Sequence, residues 1–319
     1  MCYSAQIEAD YRTYVRMFGA HISIREFVEL FWTRAKGTKV KIPKGMELAF
    51  ADAITGDELE VKCAIDEFAA TETHRLEQEL FAQRKRLADA ERTLQVKTTK
   101  AATESKRIAT DKIAKVMTGL ADLRRVEPED RDARIFPGVY APVMVMEDGR
   151  RVIKPMRYQS RPAGKPASHD TKFPGTYNAR RDNLEGFWRD QFGHTHGLVL
   201  ASAFYENVNR HRAEGRELRD GEAVENLVLE FRPRLAHDML VACLWSRWTG
   251  PGEADLLSFA AITDEPPSEV SAAGHDRCII PIRPENIDAW LNPNAKDLAA
   301  QYSILDDRER PYYEHRLAA

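Results

Sequence analysis

An α+β fold with a mixed or antiparallel sheet and a long helical hairpin inserted into it follows from three observations. Short apolar runs separated by proline-rich connections fill the chain after residue 127. No βαβ alternation accompanies them. A stretch of more than fifty residues between them and the N-terminus has helical periodicity and no proline. With 319 residues the chain suffices for one large domain or two, and a 43% hydrophobic content can bury a substantial core.

The first stretch, to about residue 66, opens with helices. Tyr11, Tyr14, Val15 and Phe18 recur at helical spacing, and Ile24, Phe27, Val28 and Phe31 repeat the pattern. After Gly45, the run Met46–Phe50 reads as extended, and Thr55-Gly56-Asp57 reads as a turn.

From His74 to Val126 there is no proline and a single glycine, Gly119. Leu76, Leu80, Leu87 and Leu94 form one stripe, and Ile108, Ile113, Val116, Met117, Leu120 and Leu123 form a second. The change of stripe near Lys97-Thr98-Thr99-Lys100 predicts an antiparallel hairpin. These 53 residues hold thirteen Lys and Arg against seven Asp and Glu, a surplus of six, so the net charge of −3 conceals a basic arm on an acidic remainder. The near-balance excludes only a protein that coats nucleic acid indiscriminately.

Beyond Glu127, the runs GLVLASAFY, NLVLEF, MLVACLW and LLSFAAI predict strands. The domain reading is therefore residues 1–66 and 129–319 as one domain, with 67–128 as a charged, coiled-coil-like insertion. There is no internal repeat and no low-complexity segment.

Four cysteines, Cys2, Cys63, Cys243 and Cys278, with no CxxC spacing, predict neither a disulfide framework nor a zinc site. The opening lacks the charged and apolar regions of a secretion signal, and no window reaches the ~18 apolar residues of a membrane span. The expected compartment is the cytoplasm, with no membrane partner.

Cys2 draws attention by position. Removal of Met1 leaves a 1,2-aminothiol, which condenses with an aldehyde to an imine and closes to a thiazolidine. Asn178 and Arg180 flank Ala179; an amide beside a guanidinium suits a phosphate or a polarised oxygen, and a capped loop is the structural alternative. Glu206 ends an apolar strand after Phe204 and Tyr205, either as a desolvated acid at a pocket rim or as the first solvated residue beyond the strand. His275, between Gly274 and a buried-looking strand, is a candidate acid or base or a structural histidine. Cys278 continues into an apolar run and reads as core.

The order of these features carries more than each alone. A Met-Cys start, Asn178-Ala179-Arg180, the Phe204-Tyr205-Glu206 strand end, Cys243-Leu244-Trp245, then His275-Asp276-Arg277 with Pro281-Ile282 and a helix containing Ile287, Trp290 and Leu291 resemble the SRAP family, the SOS-response-associated peptidases or abasic-site-processing proteins. The resemblance covers about residues 1–30 and 135–292, with the helical arm outside it.

It implies a compact, barrel-like sheet domain that captures abasic sites in single-stranded DNA in DNA repair, without metal or cofactor. Cys2 would form the covalent thiazolidine crosslink. Asn178 would position the N-terminus, Glu206 would handle protons, and His275 would assist ring opening and reversal. Arg180 would grip the DNA backbone. The alternatives are an abasic-site lyase, a self-processing cysteine peptidase of the same fold, or a non-enzymatic scaffold. The expected location is cytoplasmic, nucleoid-associated on DNA.

The chain departs from the family pattern at several points. Tyr3 and Ser4 stand where Gly-Arg is usual, so Tyr3 becomes a candidate base-stacking residue. Arg181-Asp182-Asn183 follows Asn-Ala-Arg, and Asn207 stands where tryptophan is common. Met156–Pro162 only faintly echoes the family's Trp-Gly-Leu-Val-Pro segment. Arg157, Arg161 and Arg181 are the further candidates for the DNA groove, and residues 67–128 are a candidate for a protein partner or self-association.

Overall fold

The computed structural model describes residues 3–250, 252 and 255–318. In chain order the elements are β1 (Ser4–Ile7), α1 (Tyr11–Phe18), β2 (His21–Ile22), α2 (Ile24–Ala35), α3 (Lys44–Leu48), α4 (Gly56–Val96), α5 (Lys100–Arg124), β3 (Arg134–Ile135), β4 (Tyr140–Glu147), β5 (Arg150–Tyr158), α6 (His169–Lys172), β6 (Asn178–Arg180), β7 (His196–Asn209), α7 (Arg210–Ala213), β8 (Asn226–Pro233), β9 (Met239–Trp248), β10 (Leu256–Asp264), α8 (Ser268–Ala272), β11 (Cys278–Ile279), α9 (Ile287–Leu291), α10 (Leu298–Asp306) and β12 (Tyr313–Leu317). The chain divides into two compact units. One comprises Met1–Phe27, Val40–Ala49 and Glu129–Ala319, and the other Val28–Lys39 and Phe50–Pro128.

The first unit is an α+β body on one mixed sheet. β7 is its spine: it pairs antiparallel with β1, β4, β8 and β9 along different parts of its length. β10 pairs antiparallel with β9 and β11, and parallel with β5 and β6. The strands form a partial ring rather than a clear barrel. Two of its joints are short: β4 meets β7 only at Met144–Leu198 and Val145–Gly197, and β5 meets β10 only at Arg157–Ser258 and Tyr158–Phe259.

The four apolar runs of the sequence are the spine, its neighbours β8 and β9, and β10, which pairs with β9. They form strands because β-branched and aromatic side chains fit a pleated surface buried on both sides. Tyr14 on α1 helps close the narrow β4–β7 joint. Its hydroxyl donates to the Pro142 carbonyl at 3.2 Å and accepts from the Leu200 amide at 2.9 Å. Trp290 on α9 is fully buried, and its indole N–H donates to the Gly197 carbonyl at 3.0 Å. Beneath it, His196 accepts from the Gly193 amide and lies 3.1 Å from the Trp290 carbonyl, and burial pulls its pKa down to about 3.

The Met46–Phe50 run is not extended. Lys44–Leu48 is a helix, and Met46, Ala49 and Phe50 are buried. That spacing of three and four is helical, and it overturns the extended reading of the run after Gly45. A side chain at Gly45 would bring a Cβ to 2.9 Å of the Ala9 Cβ, which fixes glycine there.

The second unit is dominated by the helical hairpin. Thr55-Gly56 is a turn that opens directly into α4: Thr55 is the N-cap, Gly56 has φ +65°, and Asp57 and Glu58 occupy the first turn, where the helix dipole favours them. Lys97–Thr99 is the turn between the helices, and the Thr99 hydroxyl caps α5 by accepting from the Ala102 amide at 3.2 Å. The seam has two characters. Leu76, Val116 and Leu120 are buried with Leu80 and Leu123 against them, whereas nearer the turn Ala90, Ala102 and Ala109 are the buried residues. The leucines were legible as a stripe. The alanines, which let helices approach closely, were not. Among the described residues, no helix is long and apolar enough to cross a membrane.

Candidate active site

The candidate site lies where the inner face of β7 meets the loop between α8 and β11. β7 does not stop at the aromatics. It continues through Glu206 to Asn209, paired with β8, so Glu206 is a mid-strand residue. Side chains alternate along it: Phe204 and Glu206 are fully buried and Asn207 is exposed. Glu206 is therefore not the first solvated residue beyond the strand but a buried one within it.

His275 is carried to it by a tight turn. The Gly274 amide donates to the Ser271 carbonyl at 2.9 Å, closing α8. Gly274 has φ +95°, and a Cβ there would lie 2.9 Å from the Arg212 Cβ. The next residue is thereby turned inward, 8% exposed. Its Nε2 lies 3.1 Å from Glu206 Oε2, and its Nδ1 lies 2.9 Å from the Arg277 carbonyl oxygen.

The Arg277 amide also donates to Nδ1 at 3.2 Å, and the contact between Nε2 and Glu206 holds one proton, on the ring or on the carboxyl. Burial lowers the pKa of His275, its largest influence, and so disfavours the charged ring. The pair is a buried carboxyl–imidazole contact in which one proton is shared.

Asn178 and Arg180 form the ends of β6, which lies parallel to β10. Asn178 is buried, and Arg180 is half-exposed, donating to both carboxylate oxygens of Asp182. The fork holds the Asp182 carboxyl below its usual range. Asp182 also lies 3.8 Å from the Arg277 guanidinium. The Asn-Ala-Arg and His-Asp-Arg segments are thereby joined through one carboxylate. At Thr263, β10 is flanked by Arg180 on one side and Ile279 on the other.

The remaining candidates are distributed unevenly. Tyr3 is 42% exposed and packs edge-on against Phe136 and Tyr177, with ring centroids 5.7 and 6.3 Å away. Arg157 and Arg161 converge on Asp170 at 2.8 and 2.5 Å, and Arg161 also lies over the Trp248 ring. Arg181 reaches Asp306 at 2.5 Å and lies over Tyr302. Arg157 and Arg161 are held by a largely buried carboxylate and Arg181 by an exposed one, and Arg180 is the most exposed of the four. Cys2 lies outside the described residues. Cys278 is buried, and burial pushes its thiol up, as for a core cysteine.

Sequence reasoning missed Arg134 and Glu230. Arg134 lies over the ring of Tyr205 at 3.7 Å and donates to the Ser4 hydroxyl at 3.3 Å. Glu230, opposite Tyr205 on β8, is buried between Arg232 and Arg316. Both are set by strand register between distant segments, and no local motif announces them.

A family model described as SOS response associated peptidase (SRAP) matches residues 92–317. The match includes α5 and leaves residues 1–91 outside, so its boundaries differ from those of the resemblance read from the sequence. No curated protein matches the chain. Among solved structures, a protein from Bordetella bronchiseptica is similar at 17% identity and TM-score 0.46, covering 59% of this chain and 87% of its own. A protein from Bacteroides thetaiotaomicron is similar at 15% identity and TM-score 0.46, covering 59% and 78%. A phage-related protein from Bordetella bronchiseptica is similar at 19% identity and TM-score 0.44, covering 61% and 85%. With most of its length matched by that family model, the chain belongs to the SRAP family, and this membership suggests a DNA-damage-associated role, an association with DNA and an enzymatic or processing activity.

Proposed function

We propose that the protein caps abasic sites in single-stranded DNA by forming a thiazolidine between Cys2 and the ring-opened sugar. The observation that carries the reading is the buried Glu206–His275 pair at 3.1 Å. Ser4 pairs with Tyr205, the residue before Glu206. Cys2 stands two residues before Ser4 in the sequence.

The chemistry balances with these groups alone. Hydrolysis of the Met1–Cys2 bond frees the α-amine. The amine adds to the C1′ aldehyde, and the carbinolamine loses water to give an imine. The thiol sulfur then adds to the imine carbon while its proton passes to nitrogen, closing the ring. Each step moves one proton at a nitrogen or oxygen, which is the task of an acid/base pair sharing one proton. Ring opening of the sugar hemiacetal likewise needs a proton removed from one oxygen and returned to the other, a role for His275. Asn178 would orient the amine, and Arg180 would take a flanking phosphate in place of Asp182.

The test is covalent. Mature protein is incubated with a single strand bearing one abasic site and resolved by denaturing gel. A shifted species should form with the wild type, disappear in Cys2→Ala, and form at least about 100-fold more slowly in Glu206→Gln, the usual scale of lost acid–base catalysis. Unchanged rates in Glu206→Gln would remove the pair from the mechanism. Accumulation of nicked DNA in place of the shifted species would make the protein a lyase acting through the same imine.

A further inference from the structure

The basic surplus of the hairpin is localised. Every carboxylate between residues 74 and 126 faces a cation. Three pairs bridge the two helices, Lys106–Glu91 at 3.0 Å, Lys112–Glu79 at 3.5 Å and Arg124–Glu77 at 3.3 Å. The others lie along one helix, Arg92 with Asp89, Arg107 with Glu104 and Asp111, and Arg125 with Asp122. Among the described residues, six cations of this stretch have no carboxylate partner: Arg84, Lys85, Arg86, Lys97, Lys100 and Lys115. The neutralised part of the arm therefore accounts for all its acids, and the surplus of six is these side chains.

Five of the six fall in the half of the hairpin nearest its turn. Lys97 and Lys100 flank the turn itself, and Arg84, Lys85 and Arg86 lie on the last turns of α4 before it. Between the helices here runs a shallow open groove. Lys85, Arg86 and Asp89 line it with the hydroxyls of Thr93, Thr99 and Ser105, over a floor that includes Ala90 and Ala102. Arg86 already donates to Ser105 Oγ at 2.9 Å, and Asp89 is neutralised by Arg92. No large apolar side chain lines the groove, so it lacks the anchors on which protein interfaces are built. Cations interleaved with hydroxyl donors suit phosphate oxygens. From Lys85 to Lys97 the helix runs roughly 18 Å at 1.5 Å per residue, long enough to follow several nucleotides.

We infer that the turn end of the hairpin is a second, sequence-independent DNA-binding site that holds the phosphate backbone of undamaged strand. It requires neither Cys2 nor a lesion, so it stands or falls apart from the covalent reading. By placing cations without carboxylate partners on an exposed arm, it would raise the local concentration of DNA.

The test uses the full chain and an undamaged, labelled single strand of about 25 nucleotides, titrated by anisotropy over a range of salt. The variant Arg84→Gln/Lys85→Gln/Lys97→Gln/Lys100→Gln alters exposed side chains that carry no ion pair. The expected result is a fall of about 3 in the slope of log K against log salt, at about 0.7 per single-strand phosphate contact, and at least about 100-fold weaker binding at low salt. Crosslink yield at saturating abasic DNA should be unchanged. Should the quadruple variant lose helicity, Lys97→Gln/Lys100→Gln, confined to the turn, must still lower the slope by about half as much. An unchanged slope and affinity overturn the inference. So does a wild-type dimer by light scattering that the variant converts to monomer without altering DNA binding, which would assign the arm to a second copy of the chain.

Discussion

The two units of this protein treat charge in opposite ways. In the sheet unit, ionisable groups are taken inside and matched there. Glu206 meets His275, Glu230 sits between Arg232 and Arg316, Asp170 gathers Arg157 and Arg161, and buried Lys154 lies between Glu26 at 3.1 Å and Glu147 at 2.9 Å. In the hairpin, charges stay on the surface, pair along or across the helices, and leave cations over. Desolvated pairs hold fixed geometry and shifted proton affinities, which chemistry needs. Exposed surplus charge holds no geometry but acts at a distance, which recruitment needs.

The comparison breaks first at the cores. Trp290 is fully buried and hydrogen-bonded to Gly197, whereas Leu120 sits in a seam one side chain deep. Trp290→Ala should cost about 4 kcal/mol and Leu120→Ala about 2 kcal/mol. Urea unfolding followed by tryptophan fluorescence and by far-ultraviolet dichroism should show the first loss in the sheet unit and the second in helix content. Equal losses would mean that the seam is as deep as the sheet core.

The charges themselves sharpen it. Lys154→Ala removes a buried cation from half-exposed Glu147 and from Glu26, which keeps Arg247 at 3.3 Å, and should destabilise by about 2 kcal/mol. Lys106→Ala, which removes an exposed cross-helix pair with Glu91, should change stability by less than about 0.5 kcal/mol. Chemical denaturation of both variants at neutral pH decides this, and a large effect of Lys106→Ala would contradict the surface reading of the arm.

Acid should divide the units more gently. His196 is neutral in the folded chain, with its pKa pulled down to about 3 by burial. The unfolded chain takes up that proton below about 6.5. Stability present at neutral pH is therefore lost as pH falls below about 6.5, by about 2 kcal/mol at pH 5. His196→Gln should flatten this part of the stability profile. The arm's histidine, His74, is exposed, so hairpin helicity should not follow the same curve. An unaltered profile in His196→Gln would assign the acid sensitivity elsewhere.

How much of this was legible in the sequence follows the range of the interactions. Strands β7 to β10 were readable because each is a continuous apolar run, and the hairpin because leucines recur over many turns. α3 was misread because a run of five residues is too short to show its period, and the burial of Ala49, three residues after Met46, separates helix from strand. The candidate residues were found from motif order, but the Glu206–His275 contact joins a mid-strand acid to a turn many residues later. The grip of Asp170 on Arg157 and Arg161, and the stacking of Arg134 on Tyr205, likewise depend on register and loop path. No local pattern encodes them, so arginines that read as free for DNA include two held inside the fold, Arg157 and Arg161, and a third, Arg181, paired at the surface.

The central claim is that an N-terminal cysteine, served by a buried one-proton pair, closes on an abasic aldehyde. The most direct measurement is the mass of the N-terminal peptide before and after reaction with abasic single-stranded DNA, followed by nuclease digestion. The account predicts a peptide beginning at Cys2, with Met1 gone, that gains the sugar remnant less one water. A retained Met1, or an adduct carried by any other residue, would contradict it.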